Sequence, residues 1–286
     1  MIEPVQCDET FLADVRAAGR DASESDAFNL WWLGQSGFLV QWSNRHLLLD
    51  PYLSDSLTKK YAATDKPHVR MTGRVVAPEQ LNFIDVVTSS HNHTDHLDAE
   101  TLKPLLSVNP KMKLVIPEAN RAFVADRLQI DETEPIGVDD GTTASAGGFQ
   151  ITGIASAHDT LEQDEAGRHK FLGYVVRFGS WTIYHSGDCM IYDGLIERLR
   201  ATTETSGIDV ALLPINGRAP ERRVAGNFDG REAARLAKAV EARLMIPCHY
   251  DMFTFNTASP DLFACEAERI GQAYYVLRCG ERFKKG

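Results

Sequence analysis

One short segment of the sequence, residues 90–98, contains metal-binding side chains at a much higher density than the rest of the chain. Its sequence is SHNHTDHLD, and three of the nine histidines fall within the six residues HNHTDH. A β-branched run at 84–88 precedes the segment, and Asp98 is a residue type that caps helices. Imidazole nitrogen and carboxylate oxygen both bind Zn²⁺ or Mn²⁺. A turn between a strand and a helix here therefore predicts half-sites for two cations. An incidental polar loop is the alternative, and the clustering of so scarce a residue argues against it.

The overall composition excludes several classes of protein. A chain of 286 residues buries enough surface to fold without disulfides, and a net charge of −10 disfavours binding to nucleic acid. The five cysteines show no CxxC spacing, which indicates a reducing compartment, and the acidic N-terminus does not resemble a signal peptide. We expect a cytoplasmic protein with a small-molecule substrate and with neither nucleic acid nor a membrane as partner. Self-association into a homo-oligomer stays open.

The order of predicted elements indicates one domain over residues 1–286. Residues 1–28 predict a polar helical extension whose apolar stripe is Phe11, Leu12 and Val15. Strands are predicted at 29–33, 37–42, 46–50, 84–89, 113–116, 149–155, 172–178, 181–185, 209–214 and 244–247, and helices after 98, at 118–128, from 192 and at 230–241. Runs of strands followed by helices favour an α+β four-layer αββα sandwich with the metal site between its halves.

The polar segment 54–78 carries five basic residues and has two open interpretations. A solvated surface loop is the usual role of such a segment, and an active-site loop that closes over a substrate is the alternative. Lys59, Lys60 and Arg70 in this segment are secondary candidates for contact with an anionic substrate.

The segment HNHTDH has the form HxHxDH and resembles the signature of metallo-β-lactamase-fold hydrolases. Three further matches, WWLG at 31–34, YHSGD at 184–188 and IPCHYD at 246–251, resemble the bacterial L-ascorbate 6-phosphate lactonase family. The resemblance implies one metal held by His91, His93 and His158, a second held by Asp95, His96 and His249, and Asp188 as a bridge between them. Asp50 matches an aspartate that orients a ligand histidine through its other ring nitrogen. We expect one or two Zn²⁺ or Mn²⁺ ions.

The outlying ligands of this set each follow a predicted strand. Taken alone, His158 is more typical of a hydrogen-bonded loop histidine, and a core histidine is an equal alternative for His249. Cys189 adjoins one predicted ligand and Cys248 another. Because neighbours on a strand point to opposite faces, we expect both thiols to face the core rather than a metal.

These residues predict a metal-dependent hydrolase. A bound metal lowers the pKa of its water towards ~7, and Asp95 and Asp188 are the candidate catalytic groups, with Asp95 as proton shuttle. The resemblance implies a lactonase that acts on a small sugar-derived lactone, with or without a phosphate, such as L-ascorbate 6-phosphate. Arg218, Asn216 and Tyr250 are the candidates for substrate binding, because they follow strands that end near predicted ligands.

Three other functions stay open. A phosphodiesterase on a small phosphodiester or lipid would keep the site and cleave a different bond. A di-iron redox module would need a carboxylate where His93 stands, and an electron-donor domain besides. A metal-stabilised protein without catalysis would keep the ligands alone. A serine hydrolase is disfavoured, because GQSGF at 34–38 lacks the second glycine of GxSxG.

Overall fold

The computed structural model describes residues 1–21 and 26–285. The α-helices in these ranges are α1 (Asp8–Asp21), α2 (Ser56–Tyr61), α3 (Ala99–Val108), α4 (Arg121–Leu128), α5 (Leu195–Thr203), α6 (Gly230–Ala239) and α7 (Asp261–Ile270). The strands are β1 (Phe28–Gly34), β2 (Gly37–Trp42), β3 (Arg45–Leu49), β4 (Val86–Thr88), β5 (Lys113–Pro117), β6 (Ile136–Val138), β7 (Thr143–Ala146), β8 (Phe149–Ala155), β9 (Leu172–Phe178), β10 (Trp181–His185), β11 (Val210–Pro214), β12 (Leu244–Cys248) and β13 (Arg282–Lys285). None of the described helices has the length and apolar character needed to cross a bilayer.

The strands form two sheets that share one apolar core. The first sheet has the order β13-β1-β2-β3-β4-β5-β6, and the second has the order β12-β11-β10-β9-β8-β7. The core contains side chains from both sheets and from α1, α3, α4, α5, α6 and α7. This arrangement is the four-layer αββα sandwich that the sequence predicts.

Strand direction brings particular loops to one edge of each sheet. In the first sheet β3, β4 and β5 run parallel, and in the second β10, β11 and β12 do so. Because β9 is antiparallel to both β8 and β10, β8 runs in the same direction as β10. Parallel strands end at a common edge, where ligand sites form in open α/β sheets. The segments that follow β3, β4, β8, β10 and β12 are therefore placed to build a site together.

Hydrogen bonds tie the two edges to each other. The amide of Leu172 donates to the carbonyl of Ser90 at 3.0 Å, and the hydroxyl of Tyr174 donates to the carbonyl of Ser89 at 2.7 Å. His185 Nε2 lies 3.0 Å from the carbonyl oxygen of Ser36, across the same boundary. The loop after β4 in one sheet is thus fixed against β9 of the other.

Most predicted elements have the observed bounds to within a few residues, because their patterns are local. The bounds of β2, β8, β9 and β10 agree with the prediction, and Phe11, Leu12 and Val15 are buried as the predicted stripe. Asp98 caps α3 by accepting from the amide of Glu100. Cys189 and Cys248 are buried in the core as expected.

The differences lie where the local pattern is weak. Helix α2 lies within the segment expected to be a loop, and β6, β7, β13 and α7 were not predicted. β13 has the sequence RFKK, and such charge is typical of an edge strand rather than of a buried one. The predicted extension 1–28 is helical over Asp8–Asp21, its residue 28 begins β1, and its residues 22–25 lie outside the described residues.

Gly187, which follows β10, packs closely against the loop after β4 and against β9. Its φ is +57°, and a Cβ added there would lie 2.6 Å from Ser90 Cβ and 3.0 Å from the carbonyl oxygen of Leu172. We expect Gly187→Ala to lower the free energy of unfolding by about 2–4 kcal/mol, from left-handed backbone strain plus overpacking. Urea denaturation measures the change.

Gly207→Ala is the matched control for that substitution. Gly207 has a φ of +67°, and an added Cβ there meets nothing within 4 Å among the described residues. We therefore expect Gly207→Ala to lower the free energy of unfolding only by the backbone strain of about 1–2 kcal/mol. Equal losses in the two variants would show that close packing at Gly187 contributes nothing.

Candidate metal centre

Seven side chains converge in two groups at the edge where the sheets meet. The first group is His91, His93, His158 and Asp188, and the second is Asp95, His96 and His249. Within each group the candidate ligand atoms lie within 4.8 Å of one another. The structure thus brings together all seven residues proposed as ligands. It separates the six that the resemblance assigns to one cation or the other, and it places Asp188 in the first group.

Each ligand follows the carboxyl end of a strand. His91, His93, Asp95 and His96 lie in the loop between β4 and α3, His158 follows β8, Asp188 follows β10 and His249 follows β12. The loop after β4 is short and polar, so several of its side chains turn towards one point. The remaining ligands need the fold to reach it, since they are far away in sequence.

Asp188 contacts both groups and has the geometry of a bridge. Its Oδ2 lies 3.5 Å from His158 Nε2, while its Oδ1 lies 3.3 Å from His96 Nε2 and 3.4 Å from His249 Nε2. Asp95 Oδ2 lies 3.5 Å from His249 Nε2 and belongs to the second group only. One carboxylate therefore faces ligands of both proposed cations.

Burial and charge shape the protonation of these groups. Burial lowers the pKa of His91, and neighbouring imidazoles add to the effect. Burial also opposes the charged form of His249, yet the carboxylates of Asp188 and Asp95 outweigh it and raise its pKa to about 9. Against burial, the charges of His249 and His96 hold the pKa of Asp188 well below its usual range. Because imidazoles bind metals in the neutral form, metal affinity falls as the pH drops.

Buried groups behind the ligands fix their orientation. The fully buried carboxylate of Asp50 lies 2.7 Å from His96 Nδ1 through its Oδ2 and accepts from the amide of Ser90 at 3.0 Å. His158 Nδ1 lies 2.8 Å from the carbonyl oxygen of Gly226. Such contacts hold each ring by Nδ1 and leave Nε2 available to a cation. Asp50 thus stands where the sequence predicts it.

The ligand atoms themselves fit divalent cations. In the part of the chain that the structure describes, His91 Nε2 is buried without a hydrogen bond, and the buried atoms His96 Nε2 and Asp188 Oδ1 have only their 3.3 Å contact with each other and that of Asp188 Oδ1 with His249 Nε2 at 3.4 Å. A buried polar atom without a partner is costly, and each such atom calls for an explanation. Imidazole nitrogens and carboxylate oxygens are the ligands of Zn²⁺ and Mn²⁺ in proteins. A cation at each candidate position would give all three atoms a partner.

A cavity of about 500 Å³ opens onto the ligands. His93, Asp95, His158, Asp188 and His249 contribute to its lining, together with the basic side chains Lys60, Lys66 and Arg127 and the apolar side chains Leu57, Tyr61, Phe123 and Phe253. The ammonium of Lys60 lies 3.5 Å from the hydroxyl of Thr94, within the HNHTDH segment. A small molecule in this cavity would therefore meet the metal ligands and positive charge together.

The segment 54–78 supplies one wall of this cavity. Leu57, Lys60 and Tyr61 come from α2, and the loop after it adds Lys66 and His68. His68 is not among the candidate metal ligands. The structure places it in the cavity lining, with its ring 4.5 Å from that of Tyr61 and its Nδ1 2.8 Å from the carbonyl oxygen of Lys66. The segment is therefore part of the site's surroundings and not only a solvated loop.

The predicted substrate-binding residues do not join the ligands, and this corrects the prediction. Arg218 and Asn216 line a separate surface cavity, where Arg218 is held by Glu232 at 2.5 and 2.6 Å. Asn216 donates to Asn256, which does line the metal cavity, at 3.0 Å. Tyr250 lines a third cavity, and its hydroxyl donates to a backbone carbonyl, that of Leu277. All three side chains are occupied by contacts within the protein, so a direct substrate contact from them is no longer expected.

Other lining residues were missed from the sequence. Arg127 donates to the carbonyl oxygens of Asn92 and Leu97 at 2.7 and 3.2 Å, and its guanidinium lies 4.4 Å from the ring centre of Phe123. Gln35 reaches the second ligand group from the turn between β1 and β2. No local motif marks Arg127. The glycines that flank Gln35 do mark a tight turn, which the strand directions place at the same edge.

Comparison with known proteins agrees with this geometry. The profile of the family described as "Beta-lactamase superfamily domain" matches residues 29–249. A UPF0173 metal-dependent hydrolase of Opitutus terrae is 30% identical over 258 residues, with 88% of this chain and 97% of the relative covered. Another, of Saccharolobus solfataricus, is 25% identical over 257 residues, with 88% and 97% covered.

The solved structures show the same fold. The isothiocyanate hydrolase from Delia radicum gut bacteria superposes with a TM-score of 0.67 at 17% identity, covering 89% of this chain and 98% of that protein. At this identity the likeness establishes the fold alone, whereas the profile and the relatives establish the family. The chain therefore belongs to the metallo-β-lactamase superfamily and, within it, to the UPF0173 metal-dependent hydrolases.

Proposed function

We propose that this metal-dependent hydrolase opens a small lactone that carries an anionic group, such as a sugar-derived lactone phosphate. The observation that carries the proposal is the pairing, in one cavity, of two groups of metal ligands with three basic side chains. A volume of about 500 Å³ suits a small organic molecule. The resemblance to the lactonase family supports the choice of bond.

The proposed chemistry needs little from the protein beyond placement and proton transfer. A divalent cation, Zn²⁺ or Mn²⁺, would supply Lewis acidity and lower the pKa of a bound water towards ~7. Asp95 and Asp188 are the candidate-ligand carboxylates that line the cavity, and the side chain of Asp95 is the more exposed of the two. Asp95 would take the proton of the attacking water and deliver it to the ring oxygen as the carbon–oxygen bond breaks. Asp188 would hold the two ligand groups at a fixed distance from each other, since its carboxylate contacts both.

The basic wall supports an anionic substrate. Lys60 and Lys66 lie in the segment 54–78, and Arg127 lies at the C-terminal end of α4. Lys66 donates to the backbone carbonyl of Arg223, and its ammonium forms no salt bridge with a carboxylate of the described residues. The net charge of the chain is −10, yet three positively charged side chains line this one cavity. Charge-assisted hydrogen bonds from such groups recognise phosphate and carboxylate.

The direct test is a substrate panel with metal-loaded protein. Sugar lactones are compared in pairs, with and without a phosphate or carboxylate, beside small phosphodiesters. Loading uses Zn²⁺ in one series and Mn²⁺ in the other, and Asp188→Asn protein prepared in the same way gives the background. We expect ring opening with a preference for the anionic member of each pair. Turnover of phosphodiesters alone, or equal rates within the pairs, would contradict the proposal.

A substitution in the basic wall gives a more specific prediction. Lys60→Met keeps much of the side-chain length and removes the charge beside Thr94. We expect KM for an anionic lactone to rise about threefold to tenfold, since the exposed ammonium contributes one charge-assisted contact. KM for the neutral lactone and kcat for both should stay the same. Steady-state kinetics on one lactone pair measures all four values.

Lys59→Met is the matched control for that experiment. Lys59 precedes Lys60 on the same helix, but its ammonium binds Glu100 at 2.7 Å. Its loss should leave both KM values unchanged. If the two variants behaved alike, a general change in surface charge would explain the result, and Lys60 would have no role in binding.

A further inference from the structure

Gln35 is fixed to the second ligand group by its backbone. It lies in the turn between β1 and β2 with a φ of +51°, a backbone conformation that residues other than glycine rarely adopt. Its carbonyl accepts from the amide of His249 at 2.9 Å and from the indole of Trp32 at 3.0 Å. The turn is therefore tied to the same strand end that supplies a proposed metal ligand.

The side chain of Gln35 reaches between two of those ligands. It is 1% exposed, and its Nε2 lies 2.7 Å from Asp95 Oδ2 and 3.0 Å from His249 Nε2. Its Oε1 is buried and has no hydrogen bond to any described residue. One end of the amide thus contacts two ligand atoms of the second group, and the other end has no partner.

This orientation is incompatible with a cation on the same ligands. A cation bound to His249 uses the single lone pair of Nε2, which lies 3.0 Å from the amide nitrogen of Gln35, and it repels the amide hydrogens. A half-turn about the last side-chain bond exchanges oxygen and nitrogen in nearly the same shape. No hydrogen bond from a described residue holds Oε1 in its present place. The exchanged amide would present a lone pair where it now presents hydrogens.

We infer that Gln35 is an additional ligand, through Oε1, of the cation held by Asp95, His96 and His249. The inference rests on the metal centre of the proposed function and deepens it. With Asp188 this position has three oxygen donors and two imidazoles, whereas the other position has three imidazoles and Asp188 alone. Amide and carboxylate oxygens favour harder cations, so the two positions differ in preference, with Mn²⁺ favoured more strongly beside Gln35.

Metal binding tests the inference without any turnover assay. Gln35→Met keeps the shape but removes the amide, and Gln35→Glu keeps an oxygen donor. Metal-free proteins are titrated with Mn²⁺ or Zn²⁺ alone by equilibrium dialysis, and Co²⁺ absorption reports the ligand field. We expect Gln35→Met to bind its first equivalent normally and its second about 10- to 100-fold more weakly. We expect Gln35→Glu to retain both.

Gln41→Met is the matched control. Gln41 is also buried, at 2% exposure, and its Nε2 donates to the carbonyl of Val15, on helix α1. Both equivalents should bind to this variant as they do to the unmutated chain. Unchanged second-site affinity in Gln35→Met would overturn the inference, and so would tighter binding or a single equivalent bound by the unmutated chain. A chain that binds two cations but opens no lactone would contradict the proposed function instead.

Discussion

Changing Asp188 to asparagine is expected to remove metal from both positions and to reduce hydrolysis by at least about a hundredfold. Losing a residue that only supports a ligand costs up to about a hundredfold, and the loss of a ligand itself should cost no less. The reason is geometric, because this one carboxylate lies within 3.5 Å of His158, His96 and His249. Asparagine keeps the shape but offers no charge to either cation. Elemental analysis after dialysis at fixed free metal gives the stoichiometry, and circular dichroism reports on the fold.

Two further variants make this result decisive. His93 is exposed in the cavity, so His93→Ala should lower metal content without affecting folding. Asp159→Asn removes a neighbouring charge from an exposed residue whose carboxylate accepts only from the amide of Gly226, at 3.2 Å, among the contacts described. This control should keep its metal. Full stoichiometry in both Asp188→Asn and His93→Ala would refute the assignment of the site.

Changing Asp50 to alanine is expected to cause the largest loss of stability. Asp50 is completely buried and lies 2.7 Å from His96 Nδ1, and it accepts hydrogen bonds from Ser90 and Thr88. Removing one partner of a buried charged network costs about 3–5 kcal/mol, because the remaining groups lose their partner. The orientation of His96 is lost as well, so affinity for the second cation should fall about 10- to 100-fold. Urea denaturation of metal-free protein and metal titration measure the two effects separately.

Asp209 provides the comparison for that experiment. It is 1% exposed and is bound by Arg243 at 2.5 Å and by the amide of Thr182 at 2.8 Å, in contacts that include no metal ligand. Asp209→Ala should therefore destabilise the fold and leave metal affinity unchanged. Equal effects on metal binding in the two variants would mean that Asp50 acts through general stability and not through His96.

The sequence predicts which candidate ligands the fold brings together, because their signals are local or belong to a known pattern. HNHTDH is a compact motif, and the strands that precede His158, Asp188 and His249 have clear β patterns with nearly the observed bounds. The division into two groups came from the resemblance rather than from spacing. The structure adds the distances that make Asp188 the contact between them.

The surroundings of the site were harder to predict, for physical reasons. Arg127 and Phe123 face the cavity because of how α4 packs, and a helix of eight residues carries no mark of which side will face a ligand. Arg218 follows β11 at the proper edge, but an ion pair with Glu232 holds it elsewhere. Strand order thus predicts which loops meet, while side-chain contacts decide which residues of each loop are available.

The segment 54–78 contains none of the seven candidate ligands, which all lie later in the sequence. The candidate ligands follow strand ends that pack in the core, whereas part of the cavity wall comes from one contiguous stretch of the chain. Substitutions in that stretch would change the cavity wall without replacing a candidate metal ligand. Descendants of one ancestral enzyme can therefore acquire new substrates while inheriting the same chemistry unchanged.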